Sequence, residues 1–184
     1  LTPAIISSYI GKKVSSLFSN TPRANDLIVI DGFCGCGTIA LVLAEFDCFQ
    51  KVYCIDNDDH KIAFAKYNAS IYQNEEKIEF HVHDMYQIFK NSSSVFLPKV
   101  IDAVILSPPW GGSEYLSVNY YDLFYFMPNL LKLIEEVNIH SKNIIISVPR
   151  NCSKSAIVED LLDCLPKDCC ISIEDIQIHS KTKL

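Results

Sequence analysis

The sequence predicts an α/β domain built on an open, mostly parallel sheet that carries helices on both faces. Short apolar segments rich in β-branched residues alternate along the chain with longer segments whose apolar residues recur every three or four positions. The short segments are almost continuously apolar, which is typical of parallel strands buried on both sides. Strict alternation of strand and helix indicates a doubly wound sheet, in which ligands bind beyond the carboxyl ends of the strands.

The predicted elements follow one another without an internal repeat or a low-complexity linker. An N-terminal helical segment, residues 1–25, includes most of the loop NTPRAND and packs on a domain over residues 26–184. Strands are predicted at residues 27–31, 51–56, 77–84, 100–107, 143–148 and 169–178. Helices are predicted at residues 38–46, 59–72, 121–137 and 154–165.

Composition and charge exclude several classes of protein. The chain has 184 residues, enough for one domain with a hydrophobic core, and no apolar run approaches the roughly 18 residues of a membrane span. There is no signal peptide and no initiator methionine, so a fragment of a longer protein is expected. With 16 basic and 22 acidic residues the net charge is −6, which argues against a long DNA duplex as partner but not against a short piece of RNA.

The eight cysteines do not form a recognisable metal or disulfide pattern. No C-x-x-C pair occurs, and no histidine stands at zinc-finger spacing, so no metal site is expected. Unpaired cysteines of this kind behave as small apolar residues in a reducing compartment, which favours the cytoplasm or nucleus.

The first predicted strand runs directly into the glycine-rich turn DGFCGCGT, residues 31–38, which opens a helix. Glycines at such a turn allow the backbone to bend sharply and to approach a ligand closely. The spacing G-x-x-G-x-G differs from the dinucleotide fingerprint G-x-G-x-x-G, so a nicotinamide cofactor is disfavoured. A tight turn without a ligand would use the same glycines.

Acidic residues end three consecutive strands. Asp31 closes the first, Asp56 closes the second, where an acid can accept both ribose hydroxyls, and Asp84 closes the third, where it can meet an adenine amino group. Asp56 could instead cap the following helix. Together with the glycine-rich turn, the three acids favour a nucleoside-binding edge.

The fourth strand ends in SPPWGG, which contains the only tryptophan of the chain. Prolines stiffen the turn and have no N–H, so Ser107 and the Pro108 carbonyl are candidate acceptors for the hydrogens of an exocyclic amine. The Trp110 ring can hold a heterocycle by stacking, and more strongly if the base is cationic. The alternative is that Trp110 only covers the edge of the sheet.

These motifs, taken together, resemble those of class I methyltransferases that depend on S-adenosyl-L-methionine (AdoMet), and specifically those of the trimethylguanosine synthase family. The segments that carry the resemblance cover nearly the whole chain: LTPAIISSYI, DGFCGCG, VYCIDNDDHKIAFAKYNASIY, KIEFHVHD, LSPPWGGSEY and VPRN. The resemblance implies a Rossmann-like sheet of the seven-stranded type, with the last strand expected to be missing. The chain departs from the family at GCGT, where the family has a longer Gly-Gly-Asn turn.

The resemblance also implies an activity and site residues. The expected reaction is transfer of methyl from AdoMet to N2 of the 7-methylguanosine (m7G) cap of small nuclear and nucleolar RNAs, with Ser107, Pro108 and Trp110 as catalytic residues. The residues expected to hold AdoMet are Thr2, Asp31, Phe33, Cys34, Gly35, Gly37, Thr38, Asp56, Asn57, Asp84, Met85 and Ser107. The residues expected to hold the cap are Asn68, Ser107, Trp110, Tyr115, Arg150, Asn151 and Lys181.

The same resemblance implies a partner and a compartment. The expected partner is m7G-capped RNA, recognised locally at the cap by a monomer that binds neither DNA nor membrane. The expected location is the nucleus, including nucleoli or Cajal-body-like structures, with the cytoplasm as a second compartment. Two alternatives stay open: another amino methyltransferase, acting on tRNA guanosine N2 or adenine N6, and a catalytically silent module that binds the cap or AdoMet.

Overall fold

Five parallel strands form the centre of the molecule in a computed structural model that describes residues 2–90 and 97–176. The strands are β1 (Leu27–Gly32), β2 (Phe49–Asp56), β3 (Ile78–Val82), β4 (Ala103–Leu106) and β5 (Ile144–Ile146). Their order across the sheet is β3-β2-β1-β4-β5. Strand β1 is therefore central, and the chain reverses its direction of winding between β1 and β4, the point where ligands bind in doubly wound sheets.

Seven α-helices lie among the described residues, on the two faces of this sheet. They are α1 (Ala4–Phe18), α2 (Thr38–Ala44), α3 (Asp59–Tyr72), α4 (Met85–Ile88), α5 (Leu123–Phe126), α6 (Pro128–His140) and α7 (Lys154–Cys164). Two short 3₁₀ turns, Glu75–Lys77 and Gly112–Ser117, complete the described secondary structure. None of the helices within the described ranges combines the length and the apolar character that a bilayer crossing requires.

Each face of the sheet has its own hydrophobic core. Val29 and Ile105 pack with residues of α1, α2 and α3, whereas the neighbouring Ile30 and Leu106 pack with residues of α4 to α7. This division follows from the alternation of side chains along a strand. All four side chains are fully buried, as the apolar pattern of the predicted strands requires. The predicted α/β fold with helices on both faces is confirmed.

The predicted helix over residues 121–137 is wrong in one respect, because the structure divides it into α5 and α6. Met127 separates the two helices with φ −129° and ψ 65°. Proline disfavours helical geometry in the residue before it, and Pro128 starts a new helix at its first position, where the missing N–H costs nothing.

The predicted strand over residues 169–178 is absent from its described part, residues 169–176. Instead of pairing with β5, this segment crosses to α1, where Glu174 contacts Tyr9 and lies 2.5 Å from the Lys13 ammonium. The apolar pattern of residues 169–176 predicted a strand, but Ile171 and Ile173 instead pack against the core, and Glu174 contacts α1. The last two residues of the predicted strand lie outside the described residues.

A buried ion pair joins the loop after α1 to the sheet. The Arg23 guanidinium donates two hydrogen bonds to Asp102, from Nε to Oδ1 at 3.0 Å and from Nη2 to Oδ2 at 2.6 Å. Asp102 also accepts the Ile28 N–H at 2.7 Å. The Asp102 side chain is only 5% exposed, so its charge depends on these donors.

Replacing Arg23 with methionine should therefore lower the free energy of unfolding by about 1–3 kcal/mol, because a buried carboxylate loses its charged partner. Urea denaturation measures the change, with the exposed Lys12→Met as a control of the same size and charge change. Equal free energies of unfolding for the two variants would contradict a structural role for this pair.

Candidate active site

A groove of about 2030 Å³ opens at the carboxyl edge of the sheet and continues along α1 and the C-terminal segment. Pockets for small molecules usually measure about 300–1,000 Å³, so this groove has room for a cofactor and a second large ligand. It brings together most of the residues singled out from the sequence: Thr2, Asp31, Phe33, Cys34, Gly35, Thr38, Ser107, Pro108, Trp110, Tyr115 and Arg150.

The glycine-rich turn between β1 and α2 has an unusual backbone. Phe33, Gly35 and Gly37 have φ values of 59°, 56° and 78°, all in the left-handed region. Gly37 caps α2 in this conformation, which is inexpensive only for glycine. A bulky residue such as Phe33 in this region is strained, and such strain concentrates at functional sites. The turn therefore has the geometry expected of a ligand-binding loop.

Two side chains from neighbouring elements hold this turn. The Asp56 carboxylate accepts the Gly35 N–H at 2.9 Å, and the Asn68 amide donates to the Cys36 carbonyl at 3.0 Å. Asp56 also accepts the Asp58 N–H at 3.1 Å and lies 3.7 Å from the Lys61 ammonium. Asn68 was expected near the guanine edge, but its amide supports the glycine-rich turn. The spacing of Asn68 on α3 gave no sign of this contact.

Asp31 is the most unusual titratable group in the site. It is fully buried, Oδ2 accepts the Ala40 N–H at 3.2 Å, and Oδ1 has no hydrogen-bond partner among the described residues. Burial raises the pKa of its carboxyl group to about 7, the Ala40 N–H opposes that rise, and the nearby Asp56 adds to it. A carboxylate held like this attracts a cation or a hydrogen-bond donor from a ligand.

Seven of the predicted cofactor or substrate residues that the structure describes do not line the groove. Asp84 caps α4 by accepting the Tyr86 N–H at 2.9 Å, and the Met85 side chain is buried in the core. Asp56 lies behind the turn that it holds. The predicted residues outside the groove lining, besides Asn68 and Gly37, are Asp56, Asn57, Asp84, Met85 and Asn151.

The SPPW turn faces the glycine-rich turn across the groove. The Ser107 N–H donates to the Gly32 carbonyl at 3.2 Å, so the ends of β4 and β1 are joined directly. Ser107 Oγ lies 3.4 Å from Ser147 Oγ, at the end of β5. Pro108 is buried and Trp110 is half-buried, with its ring edge-on to the Tyr115 ring at 5.8 Å between centroids. Backbone stiffness and ring packing together fix the tryptophan.

The residues after β5 complete this side of the groove. Arg150 is exposed and lines the groove. Asn151 instead donates from its amide to the Tyr115 and Val118 carbonyls, each at 2.9 Å, and so holds the loop that follows Trp110. Lys181 lies outside the described residues. The sequence reasoning missed Ser147, although its position at the end of a strand beside β4 was a usable signal.

Within residues 2–90 and 97–176, no group of three or more His, Cys, Asp or Glu side chains is arranged to hold a metal ion. The eight cysteines are free thiols.

The buried Asp31 makes a prediction about pH. The pKa of Asp31 is higher in the folded chain than in the unfolded chain, because burial favours the neutral acid. The contribution of Asp31 to folding stability is therefore fully present below its pKa in the unfolded chain and is lost as the pH rises through about 7. Between about pH 4 and 8 this group alone should lower the free energy of unfolding by roughly 4 kcal/mol.

Replacing Asp31 with asparagine should remove this loss, because the amide does not ionise. The variant should gain stability relative to the parent chain as the pH rises from 5 to 8. Urea denaturation at several pH values measures the slope, with the exposed Asp47→Asn as control. Parallel pH profiles for Asp31→Asn and the parent chain would show that Asp31 does not carry the effect.

Two known proteins have sequences similar to that of this chain. Trimethylguanosine synthase of Schizosaccharomyces pombe is 33% identical over 126 residues, which cover 67% of this chain and 51% of that protein. Trimethylguanosine synthase of Saccharomyces cerevisiae is 29% identical over 154 residues, covering 82% of this chain and 46% of that protein. The chain thus spans about half the length of these two relatives.

Solved structures support the fold. A SAM-dependent O-methyltransferase from Thermotoga maritima superposes with a TM-score of 0.58 at 18% identity, over 90% of this chain and 50% of that one. TrmN from Thermus thermophilus superposes with a TM-score of 0.51 at 22% identity, over 86% of this chain and 41% of that one. These matches establish the class I methyltransferase architecture.

The family model described as RNA cap guanine-N2 methyltransferase matches residues 27–184, from the first strand to the end of the chain. That range contains the glycine-rich turn, the strand-end acids and the SPPW turn. The chain therefore belongs to the RNA cap guanine-N2 methyltransferase family.

Proposed function

We propose that this protein transfers methyl from AdoMet to N2 of the m7G cap of small nuclear and nucleolar RNAs, giving 2,2,7-trimethylguanosine. One observation carries the proposal: the SPPW turn and the glycine-rich turn open onto the same groove, joined by the Ser107–Gly32 hydrogen bond. A turn whose tryptophan can stack on a flat base thus lies beside a turn that can bind a nucleoside. The names of the family and of the two yeast relatives support the same reaction.

The residues around Asp31 fit AdoMet. Its Oδ1 is buried without a partner among the described residues, and AdoMet is a cation with an ammonium group that can donate to it. The left-handed turn at Gly35 and Gly37 lets the backbone approach the cofactor. Bound AdoMet supplies an activated methyl group on its sulfonium.

The strand-end acids are assigned to the nucleoside part of the cofactor. A carboxylate offers about four acceptor positions, so Asp56 can bind ribose hydroxyls while it keeps the Gly35 and Asp58 N–H groups. Asp84 and Asn57, beside the strand ends, are assigned to the adenine, and Met85 is assigned there through its backbone, because its side chain is buried in the core. Thr2, Phe33, Cys34 and Thr38 line the groove where the rest of the cofactor binds.

The opposite wall is assigned to the cap. Trp110 stacks on the 7-methylguanine, whose positive charge strengthens the attraction to the ring. Tyr115 and Arg150, with Lys181, bind the triphosphate, and Asn151 keeps Tyr115 in place through its backbone. A single cationic base with a short triphosphate is compatible with a chain of net charge −6, since no long phosphate backbone has to be neutralised.

Catalysis rests on positioning. The guanine N2 is a weak nucleophile because its lone pair is delocalised into the ring. Ser107 and the Pro108 carbonyl accept hydrogen bonds from the amine and stabilise the positive charge that develops on nitrogen. With AdoMet bound, its sulfonium would supply the methyl group to N2, and the proton of the amine would pass to solvent. Asp31 is assigned to the cofactor, and no residue is assigned the role of general base.

The remaining parts of the proposal concern organisation and location. Residues 1–25 form a helical segment packed on a methyltransferase domain of residues 26–184, which acts as a monomer on capped RNA and not on DNA. The nucleus, with the cytoplasm as a second compartment, is where such capped RNAs are processed.

Replacing Trp110 with alanine should lower kcat/KM for m7GTP by roughly 10- to 100-fold, because a stacked cationic base is lost. The Kd for AdoMet should not change, since Trp110 belongs to the cap wall. Transfer from labelled AdoMet to m7GTP, GTP, tRNA and DNA measures the activity, with the exposed Phe64→Ala as control.

Methylation of m7GTP alone supports the proposal. Methylation of tRNA or DNA but not m7GTP would identify a different amino methyltransferase, and AdoMet binding without any transfer would identify a silent binding module. Equal losses of AdoMet affinity and m7GTP activity in Trp110→Ala would refute the role of the ring.

Replacing Asn68 with alanine separates two roles for that residue. Loss of its hydrogen bond to the Cys36 carbonyl should loosen the turn and raise the Kd for AdoMet by roughly ten-fold, with little change in the KM for m7GTP. Isothermal titration and steady-state kinetics measure the two constants, with Asn74→Ala as control, because Asn74 also donates to a backbone carbonyl. A rise in KM for m7GTP alone would assign Asn68 to the guanine edge instead.

A further inference from the structure

A continuous row of aromatic rings leads from the SPPW turn to the protein surface. We call it the aromatic run: Trp110, Tyr115, Tyr121, Phe126 and Tyr125. Neighbouring ring centroids are 5.8, 6.5, 4.7 and 5.3 Å apart in that order. The proposed reaction uses only the first two rings. The outer rings therefore have no role in cap binding or methyl transfer as described above.

The outer end of the aromatic run is exposed. Tyr125 is 77% exposed and Phe126 is 51% exposed, and the nearby Tyr120 and Leu116 are also exposed. Single exposed apolar residues are ordinary, but a cluster of them next to a functional groove usually marks a binding surface. The inner ring, Tyr121, is 5% exposed and anchors the row in the core.

The backbone holds these rings in place. Asp122 caps α5 by accepting the Tyr125 N–H at 3.0 Å, and the break at Met127 ends this helix after one turn. The Tyr121 N–H donates to the Asn151 carbonyl at 3.0 Å, which ties the run to the segment that carries Arg150. The backbone that carries the rings is thus joined to the segment that carries the cation.

We propose that the outer part of the aromatic run binds the first nucleotides that follow the cap, as single-stranded RNA. The inference rests on the proposed function and extends it from the cap to the adjoining RNA. With the cap guanine on Trp110 and its triphosphate at Arg150, the chain of nucleotides continues from the Arg150 side of the groove. The outer rings adjoin Tyr121, whose N–H donates to the carbonyl of the residue after Arg150.

The chemistry favours RNA over a protein partner. Every base has a flat face that stacks on tyrosine or phenylalanine without regard to sequence, which suits an enzyme that serves several RNAs. Ring contacts connect the outer rings to Trp110 of the cap wall, and Arg150 is exposed. A protein interface would need a larger apolar area and no link to Trp110.

The test compares two acceptors on the same protein: m7GTP and an m7G-capped RNA pentanucleotide. We expect the parent chain to show a lower KM for the pentanucleotide. In Tyr125→Ala/Phe126→Ala the KM for the pentanucleotide should rise roughly five- to 100-fold, whereas the KM for m7GTP should stay unchanged. The control is Phe64→Ala/Tyr67→Ala, two aromatic residues equally exposed on α3, which packs on β2 and β3.

The outcomes separate the inference from the proposed function. If the parent chain methylates neither acceptor, the proposed function fails. If it methylates both with equal KM, or if the α3 control loses as much as the test variant, the inference is overturned while the function stands. Tyr125→Ala alone serves if the double variant unfolds, because this ring is the most exposed. Size-exclusion chromatography completes the test: a change of oligomeric state in the variant would assign the surface to self-association.

Discussion

The close packing of the β1 backbone at Gly32 is the constraint on which the site depends. A Cβ atom at this position would lie 2.7 Å from Met85 Cε and 3.1 Å from Leu106 Cδ2, so only glycine fits without displacing its neighbours. At this position the Gly32 carbonyl accepts the Ser107 N–H from the end of β4. The glycine-rich turn that follows β1 and the SPPW turn that follows β4 therefore start from one joined point in the sheet.

The electrostatic cost of burying Asp31 beside this point can be offset by a bound ligand. Asp31 is buried with one oxygen unpaired among the described residues, and burial raises the pKa of its carboxyl group to about 7. A cationic ligand lowers that pKa, because it compensates the buried charge. Phe33 adds backbone strain at the same turn. The buried carboxylate and the strained turn both lower the stability of the domain, and both lie where the ligand is proposed to bind.

The errors of the sequence-based reasoning have physical causes that can be named. Residues 121–137 have helical spacing throughout, and only the effect of Pro128 on Met127 divides them. Residues 169–176 have the apolar pattern of a strand, yet they do not join the sheet, and Glu174 contacts α1 instead. The substrate roles of Asn68 and Asn151 stay predictions, to which the structure adds that their amides hold loop carbonyls. Spacing along the chain does not report which distant carbonyl an amide reaches.

The sequence by itself determined the fold class, the sheet edge where the site lies and the two turns that form it. These follow from local periodicity and from glycine, proline and strand-end acids, whose effects act within a few residues. Only the tertiary structure decided that Asp31 is buried with an oxygen that is unpaired among the described residues. The tertiary structure also decided that Ser147 lies beside Ser107 and that aromatic rings from three segments form one row. Burial and ring contacts depend on residues far apart in the chain, and so they exist only once the sheet has assembled.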